Sequence, residues 1–92
     1  MYDDIDIVSV AKQHFSILCS ELKCELEDKD YAYSRYIYDI RCQNADGMIN
    51  AYLSMVDISC IERDELNKAY KECIAELKKI HSDYTKKLDD EV

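Results

Sequence analysis

The chain has 92 residues, 20 acids against 12 bases for a net charge of −8, one glycine, no proline and five cysteines. That length holds one hydrophobic core and not two, and the scarcity of glycine and proline argues against an all-β fold with its many tight turns. The acidic balance argues against direct contact with nucleic acid or an anionic membrane, since both demand a clustered basic surface.

At the N-terminus, Met1-Tyr2-Asp3-Asp4 lacks the basic start and apolar run of a secretory signal. No apolar run approaches the ~20 residues of a membrane span, so the expected compartment is the cytosol. From Asp6 onward Val8, Ala11, Phe15, Leu18 and Leu22 recur at steps of three and four, which predicts a first helix over about 6–26 with these residues on its buried face. The acids Asp3, Asp4 and Asp6 suit the positive end of its dipole. Glu27-Asp28-Lys29-Asp30 then breaks the pattern, and Asp28 or Asp30 can cap the next helix.

The middle of the chain has two readings. Tyr36, Tyr38, Ile40 and Cys42 alternate, and Asn44-Ala45-Asp46-Gly47 resembles a turn, so a β-hairpin with strands near 33–42 and 48–56 is the alternative. Against it, Arg35, Asp39, Gln43, Asp46, Asn50, Ser54 and Asp57 form a polar stripe at helical period. We therefore expect a second helix over about 30–56, with Tyr33, Ile37, Ile40, Asn44, Met48, Ala51 and Met55 opposite that stripe. Asn44 on this apolar face is either a satisfied core amide or a register-fixing group against a partner helix, and Gly47 permits close helix approach or a kink.

Ser59 and Glu62 have the spacing of a capping box, so a third helix is expected over about 60–88. Its seam, Leu66, Tyr70, Cys73, Leu77, Ile80 and Tyr84, keeps a heptad spacing, and the helix, at up to ~28 residues or ~42 Å, is longer than a compact globule of this size needs. The expected architecture is one all-α domain, a three-helix bundle with a long C-terminal helix. The excess seam is assigned to a homo-oligomer contact, and residues 89–92 are expected to fray.

No catalytic or metal-binding pattern emerges, and no cofactor is expected. His14 and His81 fall on different helices without a carboxylate at metal-ligating spacing, and the cysteines at 19, 24, 42, 60 and 73 form no close pair, so they read as reduced thiols. Glu21 with Glu25 and Glu72 with Glu76 read as solvated like-charge pairs. Asp28-Lys29-Asp30 fails as a calcium loop because Tyr33 stands where glycine is required.

Tyrosine is the unusual feature, with four crowded at Tyr31, Tyr33, Tyr36 and Tyr38 beside an acidic stretch. These residues read either as amphipathic roofing of the core or as a binding patch. The candidate partner surface is Glu25, Glu27, Asp28, Asp30, Tyr31, Arg35 and Tyr38. The expected function is a non-enzymatic protein-interaction module that blocks a basic, nucleic-acid-binding macromolecule, an analogy of size and charge to phage-encoded anti-defence proteins and DNA mimics. The alternatives are an oligomeric nucleotide sponge or sensor, with Arg35, Arg41 or Lys29 holding phosphate, and an assembly chaperone or adaptor.

Overall fold

Each helix begins where a polar side chain can take up the free N–H groups of its first turn. The computed structural model describes residues 6–55 and 57–90, which form α1 (Ile7–Glu25), α2 (Tyr31–Leu53) and α3 (Cys60–Asp90), with no strand among the described residues. Asp6 caps α1 by accepting from the Val8 N–H at 3.0 Å and the Ser9 hydroxyl at 2.8 Å, and these bonds hold its carboxyl below the usual carboxylate range. Asp30 caps α2 by accepting from the Tyr33 N–H at 2.8 Å. At α3 the capping box closes both ways, Ser59 Oγ accepting from the Glu62 N–H at 3.1 Å and Glu62 Oε1 from the Ser59 N–H at 3.0 Å. Asp3 and Asp4 lie outside the described residues.

Long-range contacts set the topology. Arg41 reaches Glu25 and Tyr52 reaches His14, so α2 runs antiparallel to α1. Cys73 lies against Phe15 and Tyr84 against Lys29, so α3 runs parallel to α1. The resulting up-down-up bundle measures 53 × 23 × 16 Å. Its length answers the question raised by the third helix: 31 residues of α3 span about 46 Å, and the bundle is itself a rod of that order.

The seam of α3 is accordingly consumed within the single chain. Leu66, Cys73, Leu77 and Ile80 are buried, while Tyr70 and Tyr84 are half-buried against the same core. The expected face of α1 is buried throughout, from Val8 to Leu22, and Leu26 extends it into the following turn.

The inward face of α2 differs from the expected one. Ser34, Ile37, Ala45, Ile49 and Tyr52 are buried, whereas Tyr33, Asn44, Ala51 and Met55 are exposed and Ile40 and Met48 are half-buried. The helix is rotated by about one position, which brings Ser34 into the core, where its burial is tolerated because its hydroxyl donates to the Tyr31 carbonyl at 2.9 Å. The polar stripe from Arg35 to Asp57 is exposed as expected, and Asn44 to Gly47 continue the helix, so the hairpin does not form.

Helix ends shift slightly. α2 stops at Leu53, where the Ser54 hydroxyl donates to the Asn50 carbonyl at 2.7 Å, and Val56, within the expected range, lies outside the described residues. α3 runs on through Asp89 and Asp90, and the remaining residues of the tail expected to fray, Glu91 and Val92, lie outside the described residues. No helix among the described residues is long and apolar enough to cross a membrane.

Candidate functional site

The turn between α1 and α2 carries the acids singled out in the sequence. Asp28 adopts φ 61°, the left-handed region that reverses the chain after α1, and aspartate tolerates it better than most residues. Lys29 follows, its N–H bonded to the Leu26 carbonyl at 3.2 Å. From α3 the Tyr84 hydroxyl accepts a second bond from that N–H at 2.9 Å and donates to the Lys29 carbonyl at 2.6 Å. Two backbone groups of the turn are thus tied to a side chain 55 residues away.

Glu27, Asp28 and Asp30 are exposed and pair with no base among the described residues. They line an open cleft that also holds Lys23, Lys29, Lys87 and Tyr84, so carboxylates and ammonium groups interleave there. Glu25 belongs elsewhere. Arg41, whose side chain is only 18 % exposed, holds Glu25 through Nη2 at 2.6 Å and Nε at 2.7 Å, and Glu21 through Nη1 at 3.3 Å. This clamp joins α1 to α2 and explains a carboxylate pair that the sequence presents as merely solvated. It also sets two carboxylates against the Arg41 guanidinium, where a phosphate would meet like charge.

The tyrosines divide. Tyr31 is exposed at the first turn of α2. Tyr38 is half-buried and stacks on His81 of α3 with ring centroids 4.5 Å apart and planes 12° from parallel, so it belongs to the α2–α3 seam and not to a free ridge. Burial pushes its hydroxyl up and, with Arg35 nearby, pushes the His81 imidazole down, although Asp39 opposes the latter. Arg35 is exposed and pairs with Asp39 at 3.3 Å. Tyr33, expected opposite the polar stripe, instead stands exposed beside the exposed Tyr36 with rings 6.1 Å apart, and the Lys29 ammonium sits 5.3 Å from the Tyr33 ring centroid. Of the seven residues proposed from sequence, the structure brings Glu27, Asp28, Asp30 and Tyr31 to one accessible end of the bundle. It commits Glu25 and Tyr38 to internal contacts and gives Arg35 an acidic partner on its own helix.

A second surface was not anticipated. Along the outer side of α2, Ala32, Tyr33, Tyr36, Gln43, Asn44, Gly47, Asn50 and Ala51 are exposed and Ile40 is half-buried, and none of them is charged. In a chain in which 35 % of residues are charged, this is a continuous neutral stripe. The four charges of α2 lie off it: Arg41 faces α1, Arg35 and Asp39 pair, and Asp46 accepts from the Tyr70 hydroxyl. The signal was present in the sequence as an absence of charge at every third or fourth position, masked by the placing of Tyr33, Asn44 and Ala51 on the inward face.

Among the described residues no three metal-ligating side chains converge. Cys24 and Cys60 are exposed, Cys19 and Cys42 are half-buried, and Cys73 is buried, its thiol donating to the Phe15 carbonyl at 3.7 Å and pushed by burial up to about 12. The imidazole of His14 meets the Tyr52 hydroxyl, while Nε2 of His81 is buried without a hydrogen-bond partner among the described residues. Comparison of the chain with protein-family models, curated proteins and solved structures found no match in any of the three.

Proposed function

We propose that this protein is a non-catalytic helical interaction module whose α1–α2 end docks onto a basic segment of another protein. The observation that carries this reading is the juxtaposition of Glu27, Asp28 and Asp30, exposed and without a basic partner among the described residues, with the exposed ring of Tyr31 at the tip of a rigid bundle. Exposed aromatics beside unpaired charge suit an interface, in which rings supply desolvated area and carboxylates steer a partner of opposite sign. A turn pinned by Tyr84 presents these groups pre-organised, which lowers the ordering cost of binding.

The finer reading, mimicry of nucleic acid, is less well supported. Lys23, Lys29 and Lys87 interrupt the acids in the same cleft, where a phosphate mimic needs an unbroken row of carboxylates. A nucleotide sponge draws no support from Arg41, whose guanidinium is occupied by Glu21 and Glu25.

Surface-immobilised basic peptides, alternating Gly with Arg or Lys, test the reading directly. Binding should weaken with salt, neutralisation by Glu27→Gln with Asp28→Asn and Asp30→Asn, which keeps the α2 cap and the left-handed turn residue, should mainly slow association, and Tyr31→Ala should mainly speed dissociation, by about tenfold or more if Tyr31 is a hot spot. Glu25→Gln should leave binding unchanged. Absence of binding at low salt, or binding indifferent to both sets of variants, would remove this end of the bundle from consideration.

A further inference from the structure

We infer that Cys19 and Cys73 are a redox pair, two thiols that close into a reversible disulfide between α1 and α3 when a peroxide reaches them. The two stand 54 positions apart in sequence and meet only in the fold. Each sulfur lies against the other's surroundings: Cys19 Sγ is 4.0 Å from the Cys73 carbonyl oxygen, and Cys73 Sγ is 3.7 Å from the carbonyl oxygen of Phe15, one turn before Cys19. The thiols also hydrogen-bond each other, Cys73 serving as donor once Cys19 has ionised. Cys42 of α2 acts on Cys73 through its charge, but its own side-chain bond goes to Tyr38. Adjacent sulfurs on neighbouring helices are the geometric requirement for a bridge.

The pair is asymmetric. Cys73 is buried, whereas Cys19 is half-buried and lines an open groove between α1 and α3 with Lys23, Glu72 and Glu76, so an oxidant from solvent meets Cys19 first. Burial raises the Cys19 thiol, the bond from Cys73 opposes this, and Glu76 and Lys23 act against each other, while Cys73 is pushed up to about 12. Cys19 is therefore the group that ionises. It gives its proton to water, and its thiolate attacks a peroxide oxygen, which leaves a sulfenic acid on Cys19 and releases hydroxide. Cys73 Sγ then attacks Cys19 Sγ, the S–S bond forms, and the sulfenic oxygen departs as water with the Cys73 proton. Two thiols and one hydrogen peroxide become one disulfide and two waters, with two electrons passing from sulfur to oxygen. The bridge joins the two helices that no turn connects and closes a loop containing the whole of α2.

Hydrogen peroxide added to the reduced full chain, followed by intact mass and disulfide mapping by mass spectrometry, reads the proposal. The expected product is a monomer lighter by two hydrogens, with Cys19 linked to Cys73 and the link reversed by dithiothreitol. Its formation should speed up by about tenfold for each pH unit while Cys19 remains mostly protonated, because the thiolate is the attacking species. The oxidised monomer should melt about 10 °C or more above the reduced one, since a bridge over a long loop constrains the unfolded chain. Cys42→Ser should leave the bridge intact and Cys19→Ala should abolish it, with circular dichroism checking that both variants fold; the map of the wild-type chain decides the matter without them. Linkage of Cys73 to Cys42, crosslinks only between chains through Cys24 and Cys60, sulfinic acid on Cys19 without a bridge, or no oxidation even at about pH 9 overturns the proposal. So does an oxidised monomer that melts below the reduced one. The basic-peptide assay concerns different residues, Glu27 to Tyr31, so either proposal can fail alone.

Discussion

Replacing Arg41 by Met keeps the apolar stem of the side chain and removes the guanidinium that joins α1 to α2. Three short polar contacts are lost, at 2.6, 2.7 and 3.3 Å. Hydrogen bonds to charged groups contribute about 1.5–3 kcal/mol when shielded from water, whereas exposed ion pairs contribute about 0.2–1 kcal/mol. Arg41 is nearly buried, but Glu21 and Glu25 have side chains 47 % and 37 % exposed, so water recovers much of their solvation once the cation is gone. What water does not relieve is the juxtaposition of two carboxylates one helical turn apart, a repulsion of a few tenths of a kcal/mol. The sum is a loss of about 2 kcal/mol, which for a domain of this size lowers the melting midpoint by roughly 8–16 °C.

Urea denaturation followed by helical circular dichroism measures the loss. A double-mutant cycle with Glu25→Gln should return a coupling of about 1 kcal/mol, because the two shortest contacts go to Glu25. A cost for Arg41→Met below about 0.5 kcal/mol, the range of ordinary surface substitutions, would mean that the clamp is a solvated surface pair and that apolar packing alone holds α1 to α2.

Asp28→Gly should stabilise the bundle by about 0.5 kcal/mol by relieving a left-handed residue, and Asp28→Val should destabilise it by about 1–2 kcal/mol; equal melts for the two would contradict the backbone assignment. The Tyr70 hydroxyl, bonded to the Asp46 carboxylate and partly buried, is pushed up to about 12 from an ordinary value near 10. Its contribution to stability is therefore complete below pH 10 and is lost as pH rises through 12. Ultraviolet titration should show Tyr70 among the late-ionising tyrosines, with Tyr38 and Tyr52, and Asp46→Asn should return Tyr70 alone toward 10. His81 shifts the other way, held down by burial, so the stability it contributes is present above its unfolded value of 6.5 and lost as pH falls through its lowered folded value; His81→Phe should flatten that part of the acid limb. Iodoacetamide should modify Cys24 and Cys60 in the native protein and reach Cys73 only at the rate of unfolding; rapid labelling of all five would refute the burial of Cys73.

Two of the three helices were legible to within one or two residues at their ends because they are amphipathic in the ordinary way. Val8 to Leu22 and Leu66 to Ile80 are apolar at helical spacing with charges opposite, and the Ser59–Glu62 box announces the start of α3 in sequence. α2 was legible as a helix through its polar stripe, but its rotation was not, because tyrosine is at home on either side of a boundary and the deciding core residues are Ser34 and Ala45, one polar and one small. The seam of α3 was read correctly as buried and wrongly as surplus, since that inference took a sphere for the shape of the chain, and a rod buries the whole seam at home. At the candidate site, individual residues were legible but their pairings were not. Nothing local in the sequence links Glu25 to Arg41 or Tyr38 to His81, contacts made only after the chain has folded back on itself.

The bond pair from Tyr84 has a consequence for how this protein can change. Its hydroxyl addresses the N–H and C=O of Lys29, groups that every residue except proline provides, so the docking of α3 on the turn is indifferent to which side chain stands there. Glu27, Lys29 and Asp30 can therefore be exchanged for other chemistry while the last turns of α3 keep their height, provided that position 30 retains a capping oxygen. Frame and surface are decoupled at the end of the bundle where recognition is proposed. A population of variants could explore new partners there without first having to recover a lost fold.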